Sequence, residues 1–227
     1  MIESIVGTAV ATGAGLMAYA VRGRSCDWLA PSIWHLDRSR AEFALTFDDG
    51  PSESTPRLLD LLDQHKVKAT FFLVGQNVQR LPKIAREVHS RGHAIGNHTQ
   101  SHPHLYFKSS PFIHDQLASA QRVIEDIVGI SPRYFRAIYG VRWFVLAAAQ
   151  RELGLQGVMW TTIGRDWNHP AERVAQILQR GAGNGAILCL HDGRTVEKNP
   201  DIGSTIEGLR KALPVLLDRA APVLLPA

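Results

Sequence analysis

From Phe43 onward, short apolar runs rich in β-branched and aromatic residues alternate with stretches whose apolar positions recur every three or four residues. Runs of the first kind lie near 43–47, 69–74, 93–97, 133–136, 157–161, 186–190 and 222–225, and they predict about seven strands. The intervening stretches carry helix signals. Pro56 follows Ser54 and Thr55 ahead of an apolar face made by Leu58, Leu59, Leu61 and Leu62, and Pro111 follows Ser109 and Ser110 in the same way. Gly92, Gly129 and Gly154 stand where helix C-caps belong. Strands alternating with helices through right-handed crossovers predict an α/β fold whose parallel sheet closes, or nearly closes, into a (β/α) barrel. An open doubly wound sheet is the second reading, because strand order is not written in this pattern.

The N-terminus breaks the alternation. Ile5 to Val21 is an uncharged stretch at the short limit for a membrane span, diluted by Gly7, Gly13, Gly15, Thr8 and Thr12. Ala18-Tyr19-Ala20 has the form of a signal-peptidase site, yet the preceding residues lack the usual positive charge, and Arg22 and Arg24 favour a cytoplasmic side after the segment. Residues 5–21 are thus a candidate for membrane association, a cleaved signal or a packed helix. The expected organisation is an N-terminal segment and linker over 1–40, followed by one domain over 41–227.

The totals exclude some classes. A chain of 227 residues with 45% hydrophobic side chains can bury one substantial core. Its net charge of +4 comes from scattered basic residues, with no basic cluster interleaved with aromatics, so nucleic acid is not an expected partner. Cys26 and Cys189 are far apart and form no CxxC pair, which supports neither a disulfide framework nor a structural zinc site. The domain is expected to be a monomer.

In parallel barrels the loops after the strands converge on one mouth, and chemistry gathers there. The first expected strand ends in Asp48-Asp49, the third in "NHTQSH", the fourth in "FRAIYG", the fifth in "GRDW" and the sixth in "LHDG". Each cluster alone has a plain explanation. Asp-Gly-Pro is a common turn, and His98 and His102 have the spacing of two imidazoles on one helical turn, which surface histidines often share. Their conjunction on one face of one barrel is harder to explain without a site.

"TFDDGP", "HTQSH", "RAIYG", "RDW" and "LCLHDG", in this order, resemble the five motifs of the polysaccharide deacetylases, the NodB-homology hydrolases of carbohydrate esterase family 4. The resemblance covers about Ala41 to Ala227. It implies a distorted (β/α) barrel and metal-dependent removal of N-acetyl or O-acetyl groups from a carbohydrate, such as a chitin-like oligosaccharide or peptidoglycan. It implies Asp49, His98 and His102 as ligands of a divalent ion, with Zn²⁺ first and Co²⁺, Ni²⁺ or Mn²⁺ as alternatives. It also implies Asp48 as base, His191 as acid, Arg136 as partner of Asp48, and Asp166 as partner of His191. Tyr139 would offer a backbone N–H to the oxyanion, while Trp167 and Cys189 would shape the acyl pocket. An envelope glycan would favour the cell envelope or a membrane surface over the cytoplasm.

The chain departs from the family pattern at three places. Ile138 stands where the family has Pro, Ile163 where it has an additional Asp, and Cys189 where it has Leu. Of the other histidines, His93 and His104 read as structural, and the His35-Leu36-Asp37 string precedes the barrel and is not expected to bind iron. Two other functions remain open: a deformylase or amidase acting on a lipid-linked sugar or small amide, and a non-catalytic carbohydrate-binding relative.

Overall fold

The structure, a computed structural model, describes residues 2–226, with side chains described from residue 12 onward. Its centre is a parallel sheet of nine strands among the described residues. They are β1 (Ser32–Ile33), β2 (Glu42–Asp48), β3 (Thr70–Leu73), β4 (Ala94–Asn97), β5 (Tyr134–Phe135), β6 (Gln156–Val158), β7 (Thr162–Ile163), β8 (Ala186–His191) and β9 (Ala221–Pro222). The order is β1-β6-β5-β4-β3-β2-β8-β7, with β9 paired to the start of β2.

Neighbours in this sheet are mostly successive in sequence, so the strands wind in one direction, unlike an open doubly wound sheet. One stretch closes the ring. β6 and β7 lie near opposite ends of the strand order but only a few residues apart in the chain, so Met159–Thr161 must bridge those ends. Met159 N–H donates to Ile33 O at 2.7 Å on one side, and Thr161 N–H to Ile187 O at 2.9 Å on the other. The single strand expected at 157–161 is therefore two short strands around the closing segment. The sheet also takes in Ser32–Ile33, ahead of the expected domain start at Ala41.

Helices cover the outside: α1 (Ile2–Arg22), α2 (Thr55–Gln64), α3 (Gly75–Arg80), α4 (Pro82–Ser90), α5 (Ser110–Val128), α6 (Leu146–Glu152), α7 (Ala171–Gly181) and α8 (Gly203–Arg219). Pro56 and Pro111 lie in the first turns of α2 and α5, where a missing N–H costs nothing. Gly92, Gly129 and Gly154 all have φ between 64° and 83°, and Gly129 caps α5 in the left-handed conformation.

The alternation along each strand divides two layers. Phe43, Leu45, Phe47, Phe71, Leu73, Leu188 and Leu190 pack under Leu58, Leu59 and Leu62 of α2 and Leu209, Leu213 and Leu216 of α8. Each such fully buried side chain stabilises the fold by about 1.5–3 kcal/mol. The alternate positions, Ala44, Phe72 and Ile187, cluster with Val158 in a second layer. Gly96 makes room there, since a Cβ would sit 2.5 Å from the Phe72 ring.

α1 docks by its C-terminal end. Arg142 N–H donates to Val21 O at 3.0 Å, and the buried Arg142 guanidinium donates to the carbonyls of Gly23 and Cys26. Leu16, Met17 and Tyr19 are about half exposed. Among the described residues, no helix is long and apolar enough to cross a membrane. Cys26 and Cys189 are buried and unbridged.

Candidate active site

Asp48 is the last residue of β2, and Asp49 begins the loop beyond it. Asp49 has φ of 73°, a left-handed conformation that Asp adopts more readily than most residues. That turn sends the adjacent carboxylates to different partners. Asp49 Oδ1 lies 2.9 Å from His102 Nε2 and 3.3 Å from His98 Nε2, with the three side chains almost wholly enclosed. Its other oxygen accepts the Thr195 N–H at 3.0 Å, and Asn77 Nδ2 donates to its carbonyl at 2.8 Å.

His98 and His102 do not share a helical turn. They sit in a loop after β4, where Thr99 and His102 have φ of 67° and 57°. A cage of side chains holds that loop. Asn97 Oδ1 accepts the Thr99 N–H, Thr99 Oγ1 accepts the His102 N–H, and Gln116 of α5 accepts the Ser101 N–H, all at 2.9–3.1 Å. His98 Nδ1 is 2.9 Å from Arg136 O. A carbonyl can only accept, so Nδ1 carries a proton, and Nε2 is the nitrogen that faces Asp49.

These donors suit a divalent cation. The ligand atoms of Asp49, His98 and His102 lie within 4.8 Å of one another. Burial opposes the charge on Asp49, but hydrogen bonds from His102 and His98 outweigh it and hold the carboxyl well below its ordinary range. Two imidazole nitrogens and one carboxylate oxygen leave coordination positions free, as catalytic zinc sites do.

Two charge pairs flank this set. Arg136, fully buried after β5, donates from Nη1 to Asp48 Oδ1 and to Thr46 Oγ1, each at 2.7 Å. Its remaining nitrogens bond Val158 O at the end of β6 and Met159 O on the closing segment, and its guanidinium lies 4.2 Å from the Phe72 ring centroid. The guanidinium therefore cannot swing, and Asp48 is held with it. On the other side, His191 Nδ1 donates to Asp166 Oδ1 at 2.9 Å, and the His191 N–H to Asp166 Oδ2 at 2.9 Å. Burial disfavours the His191 cation, but the Asp166 charge and hydrogen bond overcome it and lift the imidazole to about 9. His191 is thus protonated at neutral pH, with Nε2–H free.

Asp48, Asp49, His98, His102 and His191 line one cavity of about 170 Å³. Tyr139, Trp160, Ile163 and Trp167 complete its wall. Tyr139 has φ of 56° within a 3-10 turn and meets the His102 ring edge-on at 5.4 Å. Trp167 stands edge-on to His191 at 4.9 Å. Ile163, at the position of the missing aspartate, presents an apolar wall. Cys189 lies behind Asp48, fully buried, its thiol donating to Asp48 Oδ2 at 3.4 Å, and Ile138 is buried.

Several participants had no sequence signal. Thr205 at the start of α8 donates to Asp166 Oδ2 at 2.6 Å, and Thr195 and Trp160 reach the site only through the fold. Asp192 was visible in "LHDG" without a role. It accepts from Thr55 at 2.7 Å, and burial raises it to about 7. His93 is buried, accepts the Ala69 N–H at 3.1 Å and is pushed by burial to about 4, a structural histidine as expected. His104 is exposed and packs on Tyr139 at 4.7 Å.

Fold and site together define a parallel barrel whose mouth holds a two-histidine, one-carboxylate cluster between an Asp–Arg pair and a His–Asp pair. The chain belongs to the polysaccharide deacetylase family, whose model matches residues 36–158, a segment that contains Asp48, Asp49, His98, His102 and Arg136. It is 39% identical over 152 residues to a chitooligosaccharide deacetylase of Bradyrhizobium sp. (strain ANU 289), covering 66% of this chain and 69% of that protein. Among solved structures it resembles a peptidoglycan N-acetylglucosamine deacetylase in complex with 4-naphthalen-1-yl-N-oxidanyl-benzamide, with TM-score 0.77, 31% identity, and 85% and 90% of the two chains covered. It also resembles a family 4 carbohydrate esterase from Streptomyces lividans in complex with acetate, with TM-score 0.73, 28% identity, and 81% and 92% covered.

Proposed function

We propose that the protein hydrolyses N-acetyl groups from an amino-sugar glycan of the cell envelope or a chitin-like oligosaccharide. Asp49, His98 and His102 hold a zinc ion, Asp48 is the base and His191 the acid. The observation that carries this reading is the opposite state of the two flanking groups in one cavity. Asp48 is paired with a guanidinium, and His191 is held as an imidazolium by Asp166. A base and an acid thus coexist at neutral pH, which amide hydrolysis requires.

A divalent ion in the ligand set supplies acidified water and polarisation of the acyl oxygen. Asp48 accepts the proton that water loses on attacking the carbonyl carbon, and Arg136 keeps the receiving carboxylate in place. His191 gives its Nε2 proton to the leaving nitrogen, so the C–N bond breaks to an amine and acetate. Trp167, Ile163 and Trp160 offer the acetyl methyl an apolar wall. The names of the similar proteins, deacetylases of chitooligosaccharide and of peptidoglycan N-acetylglucosamine, support the N-acetyl sugar as substrate.

Acetate release from chito-oligosaccharides, peptidoglycan fragments and acetyl-xylan, with and without chelator, tests the proposal. Release from the N-acetylated substrates that stops with chelator and returns with zinc is expected. Chelator-insensitive release, or none from any amino-sugar substrate, contradicts it.

A further inference from the structure

We propose that Cys189, Asp48 and His191 form a second cation site, one that takes a thiophilic divalent ion such as zinc or cadmium and shuts the enzyme by occupying its base and acid. One donor atom from each of the three residues lies within 4.8 Å of the others. The spacing between two of them is already that of a coordinated pair. A tetrahedral zinc with Zn–S of about 2.3 Å and Zn–O of about 2.0 Å separates sulphur and oxygen by about 3.5 Å. Cys189 Sγ and Asp48 Oδ2 are 3.4 Å apart.

Each residue has one donor left for such an ion. Arg136 occupies Asp48 Oδ1, and Asp166 occupies His191 Nδ1, which leaves Asp48 Oδ2, His191 Nε2 and the sulphur. Thiolate, imidazole and carboxylate together favour zinc and softer ions over magnesium or calcium. Without a cation, burial and the Asp48 charge keep the thiol protonated. On binding, the S–H and Nε2–H protons pass to solvent as sulphur and nitrogen each give a lone pair to the ion. Asp48 and His191 line the same cavity as Asp49, so the ion enters by the substrate's path.

Cadmium titration of the full chain tests the site, read by equilibrium dialysis and by the ultraviolet charge-transfer band of a cadmium–thiolate bond. The parent should bind two ions and develop the band, and Cys189→Ser should bind one and lack it. Asp49→Ala should lose one ion yet keep the band, since this site does not use Asp49. A single ion in the parent, a band that survives in Cys189→Ser and so arises from Cys26, or a band lost in Asp49→Ala would overturn the proposal. The inhibitory role rests on the function proposed above and is read separately. Excess zinc should suppress acetate release by the parent at least tenfold relative to its rate at one equivalent. Cys189→Ser and Cys189→Ala, each against its own rate at one equivalent, should resist. Equal suppression in both variants would overturn the inhibitory role while leaving the cadmium result to decide the site.

Discussion

Replacing Asp166 by Asn removes the charge that keeps His191 protonated while leaving a side chain of the same shape. In the parent, His191 is held at about 9, against an ordinary value of 6.5. Burial pushes the imidazole down, and the Asp166 charge and hydrogen bond oppose it more strongly than the more distant Asp49 and Asp48 charges, so without that carboxylate its pKa falls back toward the ordinary 6.5. At pH 8 a group of pKa 9 is about 90% protonated and one of 6.5 about 3%, so the fraction competent as acid drops roughly thirty-fold. At pH 5.5 both are almost fully protonated, and little of the loss should remain. The pH dependence of kcat/KM for acetate release in the zinc-loaded enzyme is the assay, with the His191 imidazole followed by NMR. The basic limb should move down by about two pH units or more in Asp166→Asn. Stability should follow the same sign. A raised histidine pKa contributes stability that is complete below about 6.5 and lost as pH rises through 9, so the melting-temperature gap between parent and variant should narrow over that range. A basic limb at the same pH in both proteins would refute the assignment of His191 as acid and Asp166 as its partner.

Asp48→Asn should keep zinc near one equivalent by calorimetry but lose acetate release by about 10²-fold or more, the usual contribution of a general base. Asp49→Ala should lose both zinc and activity, and full activity in either variant would contradict the roles. Gly50→Ala places a Cβ 2.1 Å from the buried Asp192 carboxylate. Overpacking of this kind costs about 1–3 kcal/mol, and each kcal/mol lowers Tm by roughly 2–4 °C in a domain this size. An unchanged Tm would show that Asp192 yields more easily than its enclosure implies.

The parts of the fold legible in the sequence were those with a strong local pattern. β2 was expected near 43–47 and spans Glu42–Asp48, and β8 was expected near 186–190 and spans Ala186–His191. Both are long and buried on both faces; β8 is apolar throughout up to His191, and β2 is apolar between Glu42 and Asp48 except for Thr46. β1 and β7 are two residues each and carry no periodicity, and the closing segment Met159–Thr161 reads as strand because Val158 and Met159 are apolar. The site residues were visible because strand exits carry them. Their geometry was not. Spacing alone put His98 and His102 on a helical turn, whereas Asn97, Thr99 and Gln116 fold that stretch into a left-handed loop, and Gln116 lies on a helix still to come in the chain. Thr205 and Trp160 were invisible for the same reason, since each meets the site through contacts between distant segments.

Zinc-loaded protein at one equivalent, examined by anomalous diffraction at the zinc edge, tests the central claim most directly. One ion should appear about 2.0–2.2 Å from Asp49 Oδ1, His98 Nε2 and His102 Nε2, with its open side toward Asp48 and His191. A zinc ion bound elsewhere in the barrel mouth, with these three side chains left to one another, would contradict the account.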